Sequence, residues 1–272
     1  MSVEPVRSLL VAGLTGDGSS TIWRLQSDGS GFAELTRIQG EVRSLAVGAS
    51  GGRAYAVTGE QVVEFDSDGG SPRAIFQSQD LESVVQREGA LIVAQYATGT
   101  LWSGEVRGGC FVQIPGRFAF PRALAARGGS LYGLETGGSA RIVYAKPSGE
   151  WRIVATGFSG PTDLALQESG GLLVADASAG QVVEVNPQSG EKRVLLSGLS
   201  GPRSIAPLSG SLVIAEVGAF RQGFGSLSSN LGRRHANLGR VTLFPRDGSP
   251  LVLAADLGHI RAVRALPLRR DG

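Results

Sequence analysis

Short apolar runs recur in sets of four about every 40 residues along this chain, and few folds accommodate such a repeat. The first run of successive sets opens at Arg43, Glu82, Arg122, Thr162, Arg203 and Arg261, in steps of 39, 40, 40, 41 and 58 residues. A second run follows every opening but the last, as in Leu91-Ile92-Val93-Ala94 and Leu172-Leu173-Val174-Ala175. A third follows, such as Gln181-Val182-Val183-Glu184, and then a fourth, such as Arg193-Val194-Leu195-Leu196. Most runs are rich in β-branched or aromatic residues and are bounded by Gly, Asp, Ser or Pro, so they read as strands. Asp28-Gly29, Asp68-Gly69 and Asp247-Gly248 fall between third and fourth runs, where a hairpin needs positive φ. Four antiparallel strands per 40 residues is the period of a β-propeller blade.

The chain ends complete the count. Leu9-Leu10-Val11-Ala12, Thr21-Ile22-Trp23-Arg24 and Phe32-Ala33-Glu34-Leu35 match runs two, three and four, with no first run ahead of them. Arg261-Ala262-Val263-Arg264 is a first run with nothing after it. Pairing the two halves closes the ring and removes its exposed edges. The expectation is therefore all-β: one six-bladed propeller domain over residues 1–272, with four-stranded antiparallel blades and the C-terminal strand completing the N-terminal blade.

Composition narrows the function classes. A net charge of +2 is too small for a strong electrostatic claim on nucleic acid or membrane. Cys110 is the one cysteine, so neither an intrachain disulfide nor a Cys-based zinc site is available. His235 and His259 are the only histidines. No apolar run approaches the roughly 20 residues of a membrane helix. The segment Met1-Ser2-Val3-Glu4-Pro5 has no charged n-region or apolar core, so the expected compartment is cytoplasmic. A leader removed earlier would make it periplasmic or secreted. A monomer without cofactors is expected.

The blades lack a Gly-His…Trp-Asp pair and resemble the NHL-repeat and gluconolactonase/strictosidine-synthase-like six-bladed propellers. Gly160-Pro161-Thr162-Asp163-Leu164-Ala165, with Leu172-Leu173-Val174-Ala175-Asp176 and Gln181-Val182-Val183-Glu184, carries the resemblance best. Gly201-Pro202-Arg203-Ser204-Ile205-Ala206 with Leu212-Val213-Ile214-Ala215-Glu216 is a looser copy. Thr21-Ile22-Trp23-Arg24-Leu25 with Asp28-Gly29-Ser30 also resembles TolB-like blades. The resemblance implies that strand one lies nearest the axis and that its first residues face the tunnel mouth. It also implies that the loops joining blades, and those between strands two and three, share that face. These motifs encode blades rather than chemistry.

The first residues form a ring of Arg43, Glu82, Arg122, Thr162, Arg203 and Arg261. In the gluconolactonase-like propellers that these blades resemble, some matching positions hold Asn or Asp that bind a divalent cation. Guanidinium there removes oxygen donors and adds repulsion, so no metal site is expected. Two such charges at about 8 Å and an effective dielectric near 20 repel by roughly 2 kcal/mol. Compensation can come from Glu82, Asp163, Glu135, Asp176 and Glu216 as an ion-pair network, or from an external anion. Tyr96 and Asp176 are further candidates to line the mouth. The first functional reading is a platform binding an anionic small molecule or peptide. The alternative is an atypical, metal-independent enzyme resembling lactonases or strictosidine-synthase-like proteins, using His259, Glu216, Asp163 or Glu135 as acid or base.

The 58-residue step contains an insertion at about 218–238, between strands two and three of the last full blade. Its glycines, aromatic residues and the basic Arg221, Arg233, Arg234 and His235 admit a lid over the mouth, a partner-binding loop or disorder. Trp23, Trp102 and Trp151 are expected to fill the packing between blades.

Overall fold

A computed structural model describes residues 7–105, 110–146, 150–218 and 239–267. The insertion, with His235, lies outside the described residues. The strands are β1 (Ser8–Leu14), β2 (Ser19–Gln26) and β3 (Phe32–Gln39), then β4 (Ser44–Val47), β5 (Arg53–Val57), β6 (Gln61–Asp66) and β7 (Arg73–Gln77). β8 (Leu81–Arg87), β9 (Ala90–Gln95), β10 (Thr100–Glu105) and β11 (Val112–Arg117) follow, then β12 (Pro121–Arg127), β13 (Ser130–Glu135), β14 (Arg141–Ala145) and β15 (Trp151–Thr156). The chain continues through β16 (Pro161–Leu166), β17 (Leu172–Asp176), β18 (Gln181–Val185) and β19 (Lys192–Leu196). It ends with β20 (Pro202–Pro207), β21 (Leu212–Val217), β22 (Gly239–Phe244), β23 (Leu251–Ala254) and β24 (His259–Ala265).

These strands form six four-stranded antiparallel sheets, a six-bladed β-propeller without helices among the described residues. Blade 1 has the order β24-β1-β2-β3, and blades 2 to 6 follow in chain order. The ring closes as the sequence predicts, with Val11 opposite Val263 and Leu9 opposite Ala265. The Asp-Gly turns behave as their chemistry requires: Gly29, Gly69 and Gly248 have φ of 76°, 108° and 119°.

The apolar core is distributed rather than central. Six clusters fill the six contacts between neighbouring blades, Leu10 and Ile22 packing on Leu45 and Phe65, for example, and Leu9 and Val263 on Val213 and Val241. Inner strands are thus buried on both faces, which explains why β17 reads Leu-Leu-Val-Ala-Asp rather than alternating. The tryptophans pack at these contacts as expected, Trp23, Trp102 and Trp151 each against a different one. No helix among the described residues is long and apolar enough to cross a membrane.

The innermost strand of each blade has no neighbour on its axial edge, so its backbone amides need partners from elsewhere. Side chains of the preceding blade supply them. Ser44 Oγ accepts from the Val84 amide at 3.3 Å, Ser83 Oγ from Leu124 at 3.0 Å, Asp163 Oδ2 from Ile205 at 3.0 Å and Ser204 Oγ from Val263 at 3.1 Å. All four acceptors are the second residue of their repeat and are buried. Where that residue is Ala123 or Ala262, the next blade is served differently. Asp163 Oδ1 accepts from the Leu164 amide, and the Leu45 carbonyl accepts from Arg264 Nε.

Ser83→Ala should leave the Leu124 amide buried and unpaired, costing about 1–3 kcal/mol. Urea unfolding should show the midpoint falling at unchanged m-value. An unchanged midpoint would remove this bond from the forces joining blades 3 and 4.

Candidate functional site

A side chain in a regular inner strand points at a neighbouring blade, so an axis-facing residue must leave the ladder. Each ring residue does so. Leu81 pairs with Gln95 and Ser83 with Ala94, which skips Glu82. The same register shift skips Arg122, Thr162, Arg203 and Arg261. Each is the extra residue of a β-bulge, a device that re-aims a side chain. Arg43 lies just before β4, its amide bonded to the Val57 carbonyl.

All six ring residues line one central cup of about 370 Å³, together with Tyr96 and Asp163. Five guanidiniums (Arg43, Arg122, Arg203, Arg261, Arg264) and four carboxylates (Glu41, Asp80, Glu82, Asp163) are among its lining residues, leaving one net positive charge. Glu82 is buried and shared: Arg43 Nη1 lies 3.1 Å from one oxygen and Arg122 pairs with the other. Burial pushes the Glu82 carboxyl up, while Arg122 and Arg43 pull the other way. Arg43 also reaches Asp80 at 3.5 Å, and Arg261 pairs with Glu41. Arg203 is the exception: among the described residues its guanidinium has no hydrogen-bond or ion-pair partner. Burial, then Arg261 and Arg122, press its pKa below the ordinary arginine value. The Thr162 hydroxyl beside it donates to the Pro202 carbonyl at 2.8 Å.

Arg264, the fourth residue of its repeat, forms the floor of the cup. It grips Asp163 with both terminal nitrogens, at 2.8 and 3.1 Å, and also donates to the carbonyls of Leu45 and Val263. It lines the cup and also a second chamber of about 290 Å³, walled by Leu45, Val84, Leu124, Leu164 and Ile205. Arg264 therefore partitions the central tunnel into a charged half and an apolar half. The other repeats hold Ala46, Val85, Ala125, Ala165 and Ala206 at this position, so the departure was visible in the sequence. Glu41 and Asp80 were also missed; each precedes a ring residue by two positions.

The remaining candidates lie outside the cup. Glu135, Asp176 and Glu216 are buried at the ends of their strands and face the preceding interblade loop. Glu135 accepts from the Ala119 amide at 2.8 Å and Arg141 at 2.5 Å, and Glu216 from the Ser200 amide at 2.8 Å and Arg240 at 2.9 Å. Asp176 accepts from the Ser159 and Gly160 amides, both at 2.8 Å. These acids fasten loops instead of compensating the ring, because loop amides occupy both oxygens of Asp176, and a loop amide and an arginine of the same blade occupy those of Glu135 and Glu216. His259 is exposed and pairs with Leu14 in the closing ladder. Asp163 alone of the four acid–base candidates lines the cup, and Arg264, Ser204 and two amides occupy its oxygens. Among the described residues no group of three or more His, Cys, Asp or Glu is placed to hold a metal ion.

At the rim, Tyr96 and Phe120 meet edge to face with ring centroids 5.5 Å apart, and the Tyr96 hydroxyl lies 3.2 Å from Thr136 Oγ1. Phe120 is 44% exposed and has a φ of 52°.

No protein-family model matches this chain, and no curated protein matches it by sequence. Among solved structures it is similar to a chain of the nidogen/laminin complex, with a TM-score of 0.73. That likeness covers 96% of this chain and 99% of the other at 16% identity, and it establishes the shared propeller fold alone.

Proposed function

We propose that this propeller is a binding protein whose central cup receives the anionic group of a small molecule or peptide. The unpartnered Arg203 guanidinium supports this most directly. Every other arginine of the cup has a carboxylate partner, so one cation remains in a site too buried for full hydration. A carboxylate or a phosphate oxygen pair matches the donor geometry of guanidinium. The rest of the network holds its own charges in place, which lowers the ordering cost of binding. Among the described residues no acid–base pair is assembled in the cup, so the binding reading is favoured over the lactonase-like alternative.

Thermal unfolding in the presence of acetate, phosphate or sulfate at matched ionic strength tests the reading. A ligand at about 100 times its Kd should raise Tm by about 5 °C. Arg203→Gln should abolish that rise, and an equal rise in the variant would overturn the assignment.

Glu82→Gln supplies an independent check. It strips the shared anion from Arg43 and Arg122, which are 33% and 30% exposed. The cost should be about 2 kcal/mol, reduced from the 3–5 kcal/mol of a fully buried pair by that exposure. Anion affinity should rise as the cup gains a second net positive charge, with both effects read by calorimetry.

A further inference from the structure

The cup has a second built feature on its rim. Phe120 occupies a left-handed backbone conformation that bulky residues avoid. The equivalent positions two residues ahead of Glu82 and Arg203 hold Asp80 and Gly201, with φ of 54° and 60°. Asp and Gly tolerate this region, and Phe does not. The strain is sustained by its surroundings: the Phe120 carbonyl accepts from both the Thr136 amide and its hydroxyl, at 3.1 Å each. A Cβ on Gly137 would lie 2.2 Å from the Phe120 ring, so the ring has its place only because that residue is glycine. Held strain at the mouth of a pocket points to use.

We infer that the cup's ligand is an elongated monocarboxylate, its carboxylate on Arg203 and an aromatic or flat apolar group against Tyr96 and Phe120. This rests on the anion reading above. Six-fold geometry places blade 6, with Arg203, across the axis from blade 3, which carries Tyr96. A molecule touching both must therefore span the cup. The charge balance selects the anion: one negative charge neutralises the described lining, while a second meets Glu41, Asp80, Glu82 and Asp163 with no free cation left among the described residues. Tyr96 and Phe120 present an edge-to-face pair with one ring exposed, which a third ring extends.

Calorimetric titration of propanoate, 3-phenylpropanoate and phenyl phosphate into the full chain tests this. 3-Phenylpropanoate should bind about tenfold tighter than propanoate, and more tightly than phenyl phosphate. Phe120→Gly accepts the backbone conformation and should fold at least as stably, yet bring the two carboxylates within about threefold of each other. Should that variant misfold, Tyr96→Leu carries the same test. Arg203→Gln should weaken both carboxylates alike. Equal binding of the two carboxylates would overturn the aromatic arm and leave the anion reading standing. A preference that survives Phe120→Gly, or Tyr96→Leu, would overturn its location. Tighter binding of phenyl phosphate would overturn the monoanion, and no binding of any probe would overturn both readings.

Discussion

The axial edges of six inner strands set the terms on which this propeller holds together. Each edge carries backbone donors and acceptors that no strand covers, in a tunnel too narrow for another strand. Leaving such groups unpaired would be costly at every blade. Ser44, Ser83, Asp163 and Ser204 answer that need by reaching from one blade to the next, so satisfying the edge and joining the blades are one act. The six apolar clusters then pack the same contacts from the outer side. Hydrogen bonds fix the spacing of the blades near the axis, and burial supplies most of the attraction further out.

The same inner strands explain how a charged cup is built on an apolar frame. A regular strand offers only two directions for side chains, and both lead into blade contacts. The bulge adds a third direction, toward the axis, at one residue in each of five blades, and in blade 2 Arg43 takes that place just ahead of its strand. Charge can then be concentrated in the centre without entering the core. The arginines meet carboxylates from the ring and from the loops just ahead of it, which keeps them oriented. Glu82 serves two of them, Glu41 and Asp163 one each, and the imbalance collects at Arg203.

Much of this was legible in the sequence, for identifiable reasons. The 40-residue period revealed the blades, and aligning repeat openings revealed the ring, because a bulge recurring at one register position leaves a fixed column. The resemblance to NHL-repeat and gluconolactonase-like propellers extends in the comparisons only to the six-bladed fold. The acids were harder to place. Glu135, Asp176 and Glu216 look like mouth residues by position, but their loops turn amides toward them, and Arg141 and Arg240 take the second oxygens of the two glutamates. Glu41 and Asp80 sit in the turns between periodic runs, where the pattern is silent. Arg264 breaks a column of small apolar residues, but only a comparison of fourth positions exposes it, and its grip on Asp163 crosses 101 positions of chain.

The closing strand carries a consequence for when the cup can exist. β24 contributes Arg261 and Arg264, and it joins the ring only by pairing with β1, from the far end of the repeat series. Until it docks against β1, the cup lacks a wall and its floor, Asp163 has no counter-charge, and the tunnel is open from face to face. Five blades can be complete while the site is absent. The site therefore works as a seal on the finished ring, present only in molecules in which β24 has found β1.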